Sequence, residues 1–151
     1  MIVELGQRPE LFEDAVEFFW DKFGTRDNAL FYRDCMEHSV GIKQPLPRFY
    51  LALEGGAIAG CYALLLNDLI SRQDLYPWLA CLFVAPELRG RGLGAKLLAH
   101  GAAECRAKGF ASVYLCTDLE GYYEKHGWEF MTHAYMTWGA ETKVYTRTTR
   151  P

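Results

Sequence analysis

The sequence predicts a mixed α/β fold, one sheet with helices on its faces. Three observations carry that expectation. Apolar residues recur at helical spacing in separated segments. Short runs of strand formers stand between them, and two of these runs flank Gly55-Gly56. The order is helices first, then a meander, then strand–helix–strand–helix–strand–strand.

Residues 2–6 alternate weakly and read as a short strand. Pro9 can open a helix at its first turn. Leu11, Phe12, Ala15, Val16, Phe19, Trp20 and Phe23 then recur at helical spacing before Gly24 closes the helix. Asp27 or Asn28 can cap a second helix reaching about Ser39. Pro45 and Pro47 mark a connector. Arg48–Glu54 and Ala57–Leu66 form a hairpin about the two glycines. Asn67–Tyr76 is polar and irregular, a loop. Leu79–Val84 is an unbroken apolar run, suited to a buried strand. After a glycine-rich turn, Leu97, Leu98, Gly101, Ala102 and Cys105 share one face of a helix that stops at Lys108-Gly109. Val113–Cys116 is a strand and Leu119–His126 a short helix. Trp128–Thr137 and Thr142–Thr148 are the last two strands.

The 151 residues make a single domain over 1–151, and half of them are hydrophobic. That composition excludes intrinsic disorder. A net charge of −3 leaves no basic surplus for a general nucleic-acid binder. No apolar run approaches the ~18–20 residues of a membrane span. The N-terminus lacks the pattern of a signal peptide. Cys35, Cys61, Cys81, Cys105 and Cys116 are dispersed without a Cys-x-x-Cys pair, which suits free thiols in a reducing compartment. The histidines have no metal-ligand spacing, so no metal is expected. A cytoplasmic location is expected.

The informative stretch is Leu82-Phe83-Val84-Ala85-Pro86-Glu87-Leu88-Arg89-Gly90-Arg91-Gly92-Leu93-Gly94-Ala95. A strand ends, a turn follows and a helix starts. The glycines let the backbone approach a ligand closely. The first helical N–H groups lack internal partners and point outward with the positive end of the helix dipole behind them. Arg89 and Arg91 add positive charge. This is a cradle for a pyrophosphate. Walker A is excluded, since no Gly-x-x-x-x-Gly-Lys-Ser/Thr is present. Gly90-x-Gly92-x-x-Ala95 fits a Rossmann fingerprint in letters, but the turn lies too far from its strand. Tyr114, Leu115 and Cys116 also stand where the acidic residue belongs.

Arg89-x-x-Gly92-x-Gly94 resembles the [Gln/Arg]-x-x-Gly-x-[Gly/Ala] signature of the GNAT acetyltransferase superfamily. The Tyr122-Tyr123-Glu124-Lys125-His126-Gly127-Trp128 segment resembles that family's later motif, at the right separation. The resemblance is strong over residues 78–130 and weaker before them. It implies a largely antiparallel central sheet with a splayed central strand pair that holds the cofactor. The implied reaction is N-acetyltransfer from acetyl-CoA to a primary amine, by direct attack in a ternary complex. Leu82, Phe83, Val84, Arg89, Gly90, Arg91, Gly92, Leu93, Gly94 and Ala95 would bind acetyl-CoA. Many members carry an Asn that contacts the pantetheine arm. This chain has Cys116-Thr117-Asp118 there, with Thr117 as the candidate replacement. Tyr122 would pack against the sheet or the cofactor arm.

A lysine-like ammonium is neutral in only ~1 molecule in 2,500 at pH 7, so a base or a desolvating pocket must help. Asp68, Asp74, Asp118 and a water chain are all open as that base, and Asp118 also reads as the cap of the short helix. The thioester oxygen needs a preplaced donor, which the resemblance assigns to a backbone N–H within Leu82–Val84. It also assigns protonation of the leaving thiolate to Tyr123. Cys81 and Cys116 read as buried structural thiols, and His126 and His133 as surface residues. Trp20, Trp78, Trp128 and Trp138 read as core, although Tyr76 and Trp78 could also line an acceptor pocket, as could Phe23, Phe31 and Tyr32. The acceptor is a small-molecule or peptide amine. A homodimer is common in the family, and the sequence shows no heptad seam. The alternative function is a catalytically silent acyl-CoA-binding sensor or scaffold.

Overall fold

The computed structural model describes residues 1–151. Its ten main elements are β1 (Ile2–Glu4), α1 (Phe12–Phe23), α2 (Ala29–Glu37), β2 (Arg48–Glu54), β3 (Ala57–Leu65), β4 (Trp78–Val84), α3 (Leu93–Ala107), β5 (Ser112–Thr117), β6 (Glu129–Tyr135) and β7 (Glu141–Thr148). The sheet has seven strands in the order β1-β2-β3-β4-β5-β7-β6 and is flanked by helices. β1/β2, β2/β3, β5/β7 and β6/β7 pair antiparallel, while β4/β5 is parallel. The chain forms two compact units. The first comprises Met1–Leu64 and Cys81–Leu97, the second Leu65–Ala80 and Leu98–Pro151.

In the first unit the helical spacing of α1 buries Ala15, Val16 and Phe19. Phe19 meets the ring of Phe49 on β2 edge-on at 5.3 Å. Gly24 N–H bonds back to Trp20 O at 2.8 Å and ends the helix. α2 starts after Asn28, but the Asn28 side chain does not cap it. Its Oδ1 instead accepts the Thr25 N–H at 2.7 Å, shaping the turn between the helices. Gly55 and Gly56 both have positive φ, +57° and +83°, as the right-handed twist of a two-residue hairpin requires. Tyr50 and Tyr62 stack across this hairpin at 4.5 Å.

In the second unit β7 lies between β5 and β6, with Leu115 opposite Tyr145 and Tyr145 opposite Phe130. Trp78, Ile70, Leu75, Ala134 and Val144 form a buried cluster, and the Trp78 indole N–H donates to Leu75 O at 2.6 Å. Trp78 is therefore core and not a pocket wall. Trp138, expected in the core, is 71% exposed on the β6–β7 turn. The expected helix over Leu119–His126 is absent; only Glu124–His126 makes a single 3₁₀ turn. Gly121 sits at φ +84°, outside helical space, and the Thr117 hydroxyl and Glu124 carboxylate take the Leu119 and Gly121 N–H groups. With no helix to cap, Asp118 accepts a hydrogen bond from the Thr142 hydroxyl at 3.5 Å. No helix is long and apolar enough to cross a membrane.

The two tryptophans give a direct test of this core. Trp78→Ala is expected to cost ~3–5 kcal/mol of unfolding free energy. Trp138→Ala should change it by less than ~0.5 kcal/mol. Urea unfolding of both variants reads the difference.

Candidate active site

In the first unit, β4 ends in a built turn. Cys81 has φ +55° in the middle of the strand, a left-handed conformation that costs a non-glycine residue ~1–2 kcal/mol. Leu82, Phe83 and Val84 follow, all half-buried. Two cations lie over the Phe83 ring, Lys22 Nζ at 5.1 Å and Arg89 Cζ at 5.3 Å from its centroid. Phe18 and Phe23 of α1 meet the same ring edge-on. Arg89 folds back on the strand, with Nε donating to Val84 O at 2.9 Å. It braces the turn while leaving its charge there.

Pro86–Leu88 makes one 3₁₀ turn, and Gly90 and Gly92 then take φ +78° and +80°. A Cβ at either glycine would meet nothing within 4 Å, so backbone conformation, not crowding, calls for glycine. The Lys96 N–H closes onto Gly92 O at 3.0 Å. The N–H groups of Leu93, Gly94 and Ala95 precede that bond and form the donor end of α3. No acidic residue stands in its first turn, and Arg91 is exposed beside it. Backbone donors, a helix dipole and arginine charge together fit a pyrophosphate.

In the second unit, the loop after β3 and the end of β5 bring Asp68 and Cys116 together, and Tyr123, in the segment after β5, interacts electrostatically with Cys116. The Cys116 thiol donates to Asp68 Oδ2 at 3.7 Å. Burial pushes the Asp68 carboxyl up to about 6, against the opposing effect of that thiol bond. Burial pushes Cys116 up to about 12, helped by the neighbouring Asp68, so the sulfur is a thiol and not a nucleophilic thiolate. Tyr123 is buried beside Tyr122, Trp128 and Tyr145. Burial, then Tyr122 and Cys116, push its phenol up to about 12. Tyr122 is exposed. The Thr117 hydroxyl accepts the Leu119 N–H at 3.0 Å and keeps its own proton for donation.

Asp74 differs from Asp68. It is exposed and holds Arg72 through two bonds of 2.9 and 2.7 Å, which lower its carboxyl pKa. Sequence reading left Asp68, Asp74 and Asp118 equal, and their surroundings separate them. It missed the anchoring of the Tyr123 segment. Lys143, Tyr145 and Arg147, alternate residues of β7 and hence on one face, reach Glu120, Glu124 and the His126 carbonyl at 2.9, 3.3 and 3.1 Å. Their period-two spacing was the available signal. The sequence gives no sign that Leu69 stands at φ +55° beside Asp68.

The Acetyltransferase (GNAT) family model matches residues 10–128. The chain belongs to the GNAT acetyltransferase family. No curated protein matches it in sequence. Among solved structures, a GNAT-family protein from Desulfovibrio desulfuricans has a TM-score of 0.74 at 17% identity, covering 99% of each chain. An aminoglycoside 6'-N-acetyltransferase complexed with coenzyme A has a TM-score of 0.73 at 16% identity, covering 100% of this chain and 98% of its own. An Elizabethkingia anophelis GNAT acetyltransferase with acetyl-CoA bound has a TM-score of 0.68 at 16% identity, covering 98% and 97%. These likenesses establish the GNAT fold.

The Asp68 carboxyl makes a pH prediction. Its folded-state value of about 6 lies above the ~3.9 of an unfolded aspartate. Between these values the folded chain binds more protons than the unfolded one, so stability falls as pH rises from about 4 to about 6. Asp68→Asn is therefore expected to stabilise the fold at pH 7.5 by roughly 1–3 kcal/mol and to be neutral near pH 4. Urea unfolding at the two pH values reads it; an equal effect at both would show that the carboxyl is not desolvated.

Proposed function

We propose that this GNAT protein is an acetyl-CoA-dependent N-acetyltransferase acting on a primary amine by direct attack in a ternary complex. The observation that carries the reading is the turn from Arg89 to Ala95, whose backbone donors open α3 beside arginine charge and without a carboxylate. Acetyl-CoA supplies an activated acetyl thioester. Gly90, Arg91, Gly92, Leu93, Gly94 and Ala95 hold its pyrophosphate, with Arg89 bracing the turn. Thr117 donates its remaining proton to the pantetheine arm, and Tyr122 packs beside that arm. An N–H within Leu82–Val84 receives the oxygen charge that develops when the amine attacks.

Asp68 is the general base. A carboxyl near 6 is ionised at neutral pH yet basic enough to take a proton from an ammonium or through one water. Asp74 is committed to Arg72, and Asp118 is exposed and accepts from the Thr142 hydroxyl. Tyr123 keeps its proton throughout the neutral range and gives it to the departing thiolate. The similar aminoglycoside enzyme supports a small-molecule amine as acceptor.

Thermal unfolding with acetyl-CoA, CoA and NAD in parallel tests the cofactor. Ligand at 100 times its Kd adds ~2.7 kcal/mol, a rise of about 5–10 °C for a chain this size. Both CoA ligands should shift the midpoint and NAD should not. With an acceptor in hand, Asp68→Asn should lower kcat ~10²–10⁴-fold. Wild-type activity should rise with pH through about 6 as Asp68 ionises. Tyr123→Phe should lower kcat and leave acetyl-CoA affinity intact. Binding without turnover across an amine panel would favour a silent acyl-CoA sensor.

A further inference from the structure

Three consecutive residues of β3 address the chain from the left-handed Cys81 of β4 to Ala85 just beyond it. The Cys61 thiol, fully buried, donates to the carbonyl of Cys81 at 3.3 Å. Gly60 presents no side chain where a Cβ would come within 2.7 Å of the Phe83 carbonyl oxygen and 3.6 Å of Val84 Cα. The Ala59 carbonyl accepts the Ala85 N–H at 2.8 Å. Between these fixed points lie the N–H groups of Leu82, Phe83 and Val84. A sulfur in this place can brace a carbonyl only as S–H, because a thiolate would repel it. Burial, and then the neighbouring Cys81, push the Cys61 thiol well above the usual cysteine range and keep it protonated.

We propose that Gly60-Cys61 is a positioning element for catalysis. It holds the Cys81 carbonyl and admits the Phe83 carbonyl, and so aims an N–H of Leu82–Val84 at the thioester oxygen. Cys61 touches no substrate in this role; it acts through β4. The inference rests on the acetyltransferase reading above. It adds two β3 residues outside the signature turn, Gly60 and Cys61, to the machinery of that reading.

The test compares acetyl-CoA with CoA, which lacks the thioester carbonyl. Calorimetric affinities for both ligands are measured on wild type, Cys61→Ser and Cys61→Val. Serine keeps a donor in the buried site, whereas valine fills the space without one. Wild type and Cys61→Ser should prefer acetyl-CoA over CoA. In Cys61→Val that preference should shrink about five-fold with CoA affinity unchanged, as expected for one misaligned hydrogen bond. An unchanged preference in Cys61→Val, or an equal loss for both ligands, would falsify the positioning role. Cys61→Ala, measured in the same way, decides the matter if valine does not fold. In wild type, the amide proton of one of Leu82, Phe83 and Val84 should also move downfield in NMR with acetyl-CoA and not with CoA. No such movement would overturn the inference. Failure of wild type to bind either ligand would instead overturn the acetyltransferase reading.

Discussion

A β-strand stays regular only while its residues stay in the extended region, and Cys81 does not. At that residue the chain also leaves the second unit and enters the first. β4 pairs with β5 where Trp78 stands opposite Tyr114, on the second-unit side of the break. Beyond the break, β4 takes its support from β3 and α1. Lys22, Phe18 and Phe23 grip the Phe83 ring, and Cys61 and Gly60 accommodate the backbone. The strain at one residue is thus offset by a dense set of local contacts. That is the usual condition for backbone strain to persist in a folded protein.

The three loop carboxylates show how completely surroundings decide chemistry. Asp74 and Asp68 are six residues apart in one loop and leave the ordinary aspartate range in opposite directions. A guanidinium in water stabilises the charge of the first, and burial opposes the charge of the second. Cys116 gives Asp68 a weak donor where a strong cation would have removed its basicity. Tyr123 keeps its proton through the same physics with the opposite chemical result: burial disfavours the phenolate and preserves a donor.

Short-range signals made much of the fold legible. Gly55-Gly56 marks a hairpin because few other residue pairs take positive φ twice. The span from Val84 through Gly94 reads as strand, turn and helix because the apolar run, the glycines and the later helical face succeed one another without overlap. The helix expected at Leu119–His126 failed because its apolar spacing was outweighed by Gly121 and by side chains that capture backbone N–H groups locally. Trp138 read as core from its type alone, although its place next to Gly139 on a turn exposes it. Asp68 could not be singled out, since its thiol neighbour comes from β5, distant in sequence. Nothing in Gly60-Cys61 announces a brace, because its meaning lies in the strand beside it.

The place of β7 has a consequence for synthesis. It follows β6 in the chain, yet it sits between β5 and β6 in the sheet. Until residues 141–148 have left the ribosome, β6 has no strand to pair with, and Glu120, Glu124 and His126 lack the three β7 side chains that hold them. Every residue of the first unit is complete once Leu97 has been added. A nascent chain therefore owns its anion-binding turn early and its anchored tyrosine only after β7 has been made. A ribosome that stalls in between leaves two strand edges waiting for the same absent partner.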